Sequence, residues 1–190
     1  MEAKPDAQFL TGKVLLASPG MLDPRFFEAV IFLCSHTEHG AMGIMVNKPA
    51  MNLNFTQLLQ RLGVPDNLSS DHKEVYVGGP VEIERGFVLH SNDYEIPGLT
   101  VKINEFSFSV SIEVLTDIIA GKGPKNSILA LGYAGWGPGQ LENEIMEDGW
   151  LVSEPDQRLI FTEKYDRKWD LGINKLGINL SKLSAISGQA

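Results

Sequence analysis

The chain has a single cysteine, Cys34, in 190 residues, so no internal disulfide can form and a reducing compartment is expected. It has no apolar run near the roughly 20 residues that cross a bilayer as a helix, because the longest runs, Ala29 to Cys34 and Ala41 to Val46, stop far short. The polar start from Met1 to Gln8 lacks the apolar centre of a secretory signal, so a cytoplasmic location and no membrane partner are expected. Cationic excess is missing too. At a formal charge of −8 the molecule repels phosphates as a whole, which disfavours direct nucleic-acid binding. The sequence contains no low-complexity segment and no internal repeat. G-x-G-x-x-G, the P-loop and the H-E-x-x-H pair are all absent, so neither a cofactor nor a metal is expected.

What is present is an ordinary globular balance, with 43% apolar and 21% charged residues. A chain of this length forms one domain, residues 1–190, and buries roughly 70% of its unfolded surface. Asn54 stands before Phe55, Leu58, Leu59 and Leu62 at helical spacing, with Gly63 and Pro65 as the stop. A second stripe, Ile112, Leu115, Ile118 and Ile119, follows Ser111 and closes at Gly121. Two further helices are expected at about 139–147 and 166–176. Strands are expected at 13–17, 27–34, 42–46, 74–77, 86–90 and 127–133. The alternating runs 99–103 and 106–110 change parity between them, which demands a turn near Asn104 and Glu105 and hence a hairpin. Strands that cluster without regular βαβ alternation predict an α+β fold with a mixed, largely antiparallel, curved sheet and about four flanking helices.

Three segments carry chemistry-bearing residues, each with a structural reading beside the functional one. Cys34 and His36 are two apart, so they share a strand face only if the strand continues that far; otherwise Cys34 is a small core residue ahead of a polar loop. The glycine-rich bend Gly132 to Gln140 includes Trp136 and leads into a helix bearing Glu142 and Glu144. It either offers amide groups to a ligand or merely allows tight turns and close backbone approach, with Trp136 and Trp150 as core or rim aromatics. Arg85 and His90 bind an anion if they converge with Asn47 or Lys48, or else Arg85 enters a surface ion pair. His72 and His90 are distant in sequence from His36, so no spacing relates them. Lys164, Arg167, Lys168, Lys175 and Lys182 are interleaved with Glu163, Asp166 and Asp170 and read as a solvated helix face.

Several stretches in order resemble the AlgH/YqgE family of bacterial proteins. They are Leu16 to Pro19, Asp23 to Phe26, Gly40 to Pro49, Gly78 to Val81, Arg85 to His90, Gly132 to Trp136, Gln140 to Ile145 with Trp150, and Trp169 with Leu176 to Ile178. Ser35 stands where the resemblance leads one to expect an acidic residue before the histidine, which weakens an acid–imidazole pairing at His36. The resemblance implies a compact α+β protein with a curved, sandwich-like sheet. It also implies a part in transcriptional regulation, with no catalytic residue to carry over. The combined expectation is a regulatory or accessory protein that binds a protein partner or small molecule through a pocket drawn from Cys34, His36, Asn47, Lys48, Arg85, His90, Trp136 and Glu142. A thiol enzyme or redox sensor using Cys34 and His36 is the alternative, and a direct DNA-binding regulator a second one.

Overall fold

The computed structural model describes residues 9–64 and 73–178. Pro65, His72, Lys182 and the segment Met1 to Gln8 therefore lie outside the described residues. The fold is α+β, as expected: the described residues form one curled nine-stranded sheet, mostly antiparallel, with helices on both faces. Its strands are β1 (Val14–Ala17), β2 (Val30–Thr37), β3 (Gly40–Met45), β4 (Val75–Val77), β5 (Val81–Ser91), β6 (Thr100–Ile103), β7 (Phe106–Ser109), β8 (Ser127–Trp136) and β9 (Trp150–Ser153). The order is β6-β7-β5-β8-β3-β2-β1-β9, and β4 runs parallel to β8 beside it. Strand β8 joins the two halves: it pairs with β5 along Ser127 to Tyr133 and with β3 along Ala134 to Trp136.

The helices are α1 (Phe55–Leu62), α2 (Ile112–Ile119), α3 (Gln140–Met146) and α4 (Lys168–Lys175). Asn54 caps α1 as its sequence position implies. Its side chain accepts from the Gln57 amide, the Gln57 side chain accepts from the Asn54 amide in return, and Gly63 ends the helix at a φ of 68°. Helix α2 is rotated from the expected stripe: Val114 and Leu115 are buried, whereas Ile112 is half exposed. Apolar residues on nearly every side of that helix leave the periodicity unable to choose a face. On one face of the sheet, Phe32, Phe87 and Phe106 pack against a π-helical turn (Arg158–Thr162) and α4, through Leu159, Ile160, Trp169 and Ile173. On the opposite face, α1 and α2 cover the β5 and β8 half, and α3 covers Leu15, Ile31, Leu33 and the two tryptophans of β8 and β9.

Several expectations are corrected. Strand β9 and the π-helical turn had no periodic signal in the sequence, and β5 begins at Val81, five residues before the expected start. Strand β2 begins at Val30, not at residue 27, because Glu28 takes a φ of 51° and turns the chain there. The hairpin turns at Asn104 as required, with a φ of 54°. Ser107 and Ser109 in this hairpin are fully buried and bonded to Asn92, His90 and Thr100. The largest reversal is Lys168, expected on a solvated helix face and found 1% exposed. Its ammonium group donates to the carbonyls of Val46 and Ile160 and lies 5.6 Å from the Tyr76 ring centre. Burial lowers its pKa to about 8.

Candidate functional site

The sequence candidates do not gather into one place. Strand β2 does persist through His36, but a bulge between Leu33 and Ser35 shifts its pairing with β3 by one residue. The extra residue reverses the alternation. Cys34 therefore packs with Phe32 on the α4 face, while His36 points to the α3 face. The Cys34 thiol is buried, its Sγ is 3.8 Å from the Phe32 carbonyl, and burial pushes its pKa up, which opposes a thiolate.

His36 is held at both ring nitrogens. The Leu10 amide donates to Nδ1 at 3.0 Å, which fixes the proton on Nε2, and Nε2 donates to Glu142 Oε1 at 3.0 Å. Neither nitrogen is left for a substrate. The pair ties the segment before β1 to α3, and Phe9 stacks edge-on against the ring. His90 is likewise closed. It is fully buried, its Nδ1 donates to the Ser91 carbonyl at 3.0 Å, and Ser109 Oγ donates to Nε2 at 2.9 Å. Ser109 is in turn 2.9 Å from the Thr100 hydroxyl, which accepts from the Ile96 amide. Burial lowers the His90 pKa, in keeping with a neutral ring in this chain of bonds.

Asn47 and Lys48 support the turn before β2. Asn47 Oδ1 accepts from the Val30 amide and Nδ2 donates to the Glu28 carbonyl, both at 2.8 Å, while Lys48 donates to the Phe27 carbonyl. Arg85 pairs with Glu82 at 3.0 Å and lies over the Phe87 ring. It does not meet His90, which sits five residues along β5 in the buried hairpin layer.

Glycine-rich stretches serve close backbone approach. A Cβ on Gly132, at a φ of 72°, would stand 2.5 Å from the Gly79 carbonyl oxygen, and one on Gly78 would stand 2.2 Å from that of Gly132. The two segments cross at a separation that only glycine allows.

A built cavity lies beside this crossing, between α3 and the turn after β1. It has a volume of about 520 Å³ and draws its walls from separate segments: Phe26, Val81, Trp136, Glu144 and Trp150 among them. Of the eight residues expected to form a pocket, Trp136 alone lines it; Glu144 and Trp150, noted in the sequence outside that set, line it as well. The floor is organised by Glu144. Its Oε2 accepts from the indole N–H of both Trp136 and Trp150 at 2.8 Å, and its Oε1 accepts from Gln140 at 2.8 Å. The two indoles meet edge to face with centres 5.8 Å apart, and Phe26 meets Trp150 in the same way at 5.5 Å. At the rim Arg25 grips Asp23 through two nitrogens, which holds the Asp23 carboxyl below the usual carboxylate range. Leu22, 95% exposed, stands beside the opening. No periodicity in the sequence joins Phe26, in the turn after β1, to Trp136 at the end of β8, Glu144 in α3 and Trp150 at the start of β9. Five of the stretches that carried the family resemblance nevertheless contribute to this lining.

Among the described residues no group of three or more histidine, cysteine or acidic side chains is placed to hold a metal ion, and no helix is long and apolar enough to cross a membrane. The profile of a family described as AlgH-like matches residues 14–181. A UPF0301 protein of Jannaschia is 48% identical over 183 residues, covering 95% of each chain. One of Caulobacter vibrioides is 44% identical over 187 residues, covering 97% of this chain and 96% of its own. The solution structure of the AlgH protein from Pseudomonas aeruginosa superposes over 100% of both chains with a TM-score of 0.79 and 36% identity. A crystal structure from Corynebacterium diphtheriae, 21% identical with a TM-score of 0.68 over 92% of this chain and 90% of its own, shares the fold.

Proposed function

The chain belongs to the AlgH-like family, and from that premise we propose that it is a cytoplasmic accessory protein that works by binding, with the cavity over Glu144 as its binding site. One observation carries this reading: a cavity of about 520 Å³ whose aromatic floor is oriented by a single carboxylate holding three hydrogen bonds. Concave sites with a few fixed polar groups on an apolar wall are what ligands occupy. Any influence on gene expression is indirect on this reading: the formal charge of −8 opposes phosphate contacts as a whole, and Lys168, one of the basic residues near the carboxy-terminal end, is buried. The thiol alternative is disfavoured by the separation of Cys34 and His36 onto opposite faces.

A thermal-shift screen of metabolites and peptides, run in parallel on wild type and Leu22→Arg, tests the reading. A ligand at 100 times its dissociation constant adds about 2.7 kcal/mol of stability. Leu22 is almost wholly exposed, so the variant keeps its fold while a bulky cation obstructs the opening. Hits that stabilise wild type and fail on the variant support the site. Hits that act equally on both place binding elsewhere and remove the proposal.

A further inference from the structure

The cavity has a sign. Among the described residues its lining includes four carboxylates, Asp23, Glu144, Glu147 and Asp148, against one guanidinium, and that guanidinium, Arg25, is already committed to Asp23. Glu144 is the informative member. Its three donors are two indoles and one amide, all neutral, so its charge is solvated but not compensated. A carboxylate in a partly dry site attracts an opposite charge more strongly than one in water, because the local dielectric is low. The indole edges point at the carboxylate, and aromatic rings carry their negative potential on the face. An anion arriving here meets like charge from the floor and the rim. An organic cation meets attraction from both, with Met21, Leu22, Pro80 and Val81 available to an apolar stem.

Resting on the reading of this cavity as the binding site, we propose that it takes an alkylammonium group, carried either by a free amine or by a lysine side chain of a peptide. Aromatic and carboxylate walls together recognise such groups through cation–π attraction, charge and stem contact.

The test is a titration followed by the indole N–H resonances of Trp136, Trp150 and Trp169. Three probes are used: tetramethylammonium chloride, cadaverine, and a short lysine peptide with its acetyl-lysine counterpart. Trp169 donates to the Ala17 carbonyl on the other side of the sheet and serves as the internal control. At millimolar probe the Trp136 and Trp150 signals are expected to move and the Trp169 signal to stay. Affinity is expected to fall about tenfold in Glu144→Gln, which keeps an acceptor for the indoles but loses the charge, and to fall with added salt. Because Glu144 also organises the floor, the rim pair Glu147→Gln with Asp148→Asn provides a second variant. Both positions are exposed, and asparagine suits the φ of 56° at residue 148, so about threefold weakening without loss of fold is expected there. Response to amines alone, or to the lysine peptide but not its acetylated form, identifies the source and supports the proposal either way. Silence of both indoles toward every ammonium probe overturns it, as does binding that is equal in all variants. An anionic or neutral ligand that moves Trp136 and Trp150 overturns the charge preference while leaving the cavity as the binding site.

Discussion

Replacing Lys168 by methionine separates what its amine contributes from what its burial costs. Methionine keeps most of the unbranched stem, so the substitution removes chiefly the ammonium group. The carbonyls of Val46 and Ile160 then lose their donor, which costs about 1–3 kcal/mol each when such groups stay dry. Against this, the folded protein holds a cation out of water, and that burial lowers its pKa from 10.5 to about 8. Each unit corresponds to about 1.36 kcal/mol. The sign follows from proton uptake. Between the folded and unfolded pKa values the unfolded chain binds the proton and the folded chain does not, so wild-type stability rises with pH through that window. The cost of burying the cation is present in full below pH 8 and is relieved above it. From pH 7 to pH 10 wild type should gain about 2–3 kcal/mol relative to Lys168→Met. At pH 7 the two effects of the substitution oppose and the variant loses little; at pH 10 most of the burial cost is relieved and the loss of the two donor bonds dominates. Urea unfolding followed by tryptophan fluorescence at each pH measures the difference. Curves for the two proteins that run parallel within about 0.5 kcal/mol across that range would refute the dry, cationic amine.

Three further outcomes follow from particular contacts. Gly132→Ala places a methyl group 2.5 Å from the Gly79 carbonyl oxygen at a backbone angle unfavourable to side chains, and a loss of about 2–4 kcal/mol in unfolding free energy is expected; a loss below about 1 kcal/mol means that the crossing is looser than described. Cys34 is expected to react with a thiol reagent at pH 8 no faster than the protein unfolds, and prompt stoichiometric labelling of the native chain contradicts its burial. Ser111 precedes α2, makes no capping bond, and its hydroxyl is buried without a partner among the described residues, so Ser111→Ala should leave the melting temperature unchanged or slightly raised; a drop of several degrees means that the hydroxyl has a partner in solution.

Legibility in the sequence followed the range of the cause. Helix α1 was readable because its signals are local: Asn54 at the start, the apolar stripe from Phe55 to Leu62, and Gly63 at the stop; the reciprocal Gln57 half of the cap emerged only with the structure. The hairpin of β6 and β7 was readable because parity is local: two alternating runs out of phase require a turn between them. The bulge in β2 was not readable, since it is defined by pairing with β3, and with it went the relation of Cys34 to His36. Lys168 shows the same limit from the other side. A lysine among acidic and basic neighbours reads as solvated, and only the packing of α4 over the sheet shows that its amine meets two carbonyl groups instead of water. Trp136 was expected in a pocket and lines this cavity, but Glu142 was chosen as the acidic member where the floor uses Glu144, two residues on, and Trp150 was read only as a packing aromatic.

A structure of the chain crystallised with a ligand that stabilises it tests the binding site most directly. The expected result is ligand density between Phe26, Trp136 and Trp150 with a positively charged nitrogen facing Glu144. Density at the Arg85 surface or beside Lys168, with the indole cavity unchanged, would contradict the account.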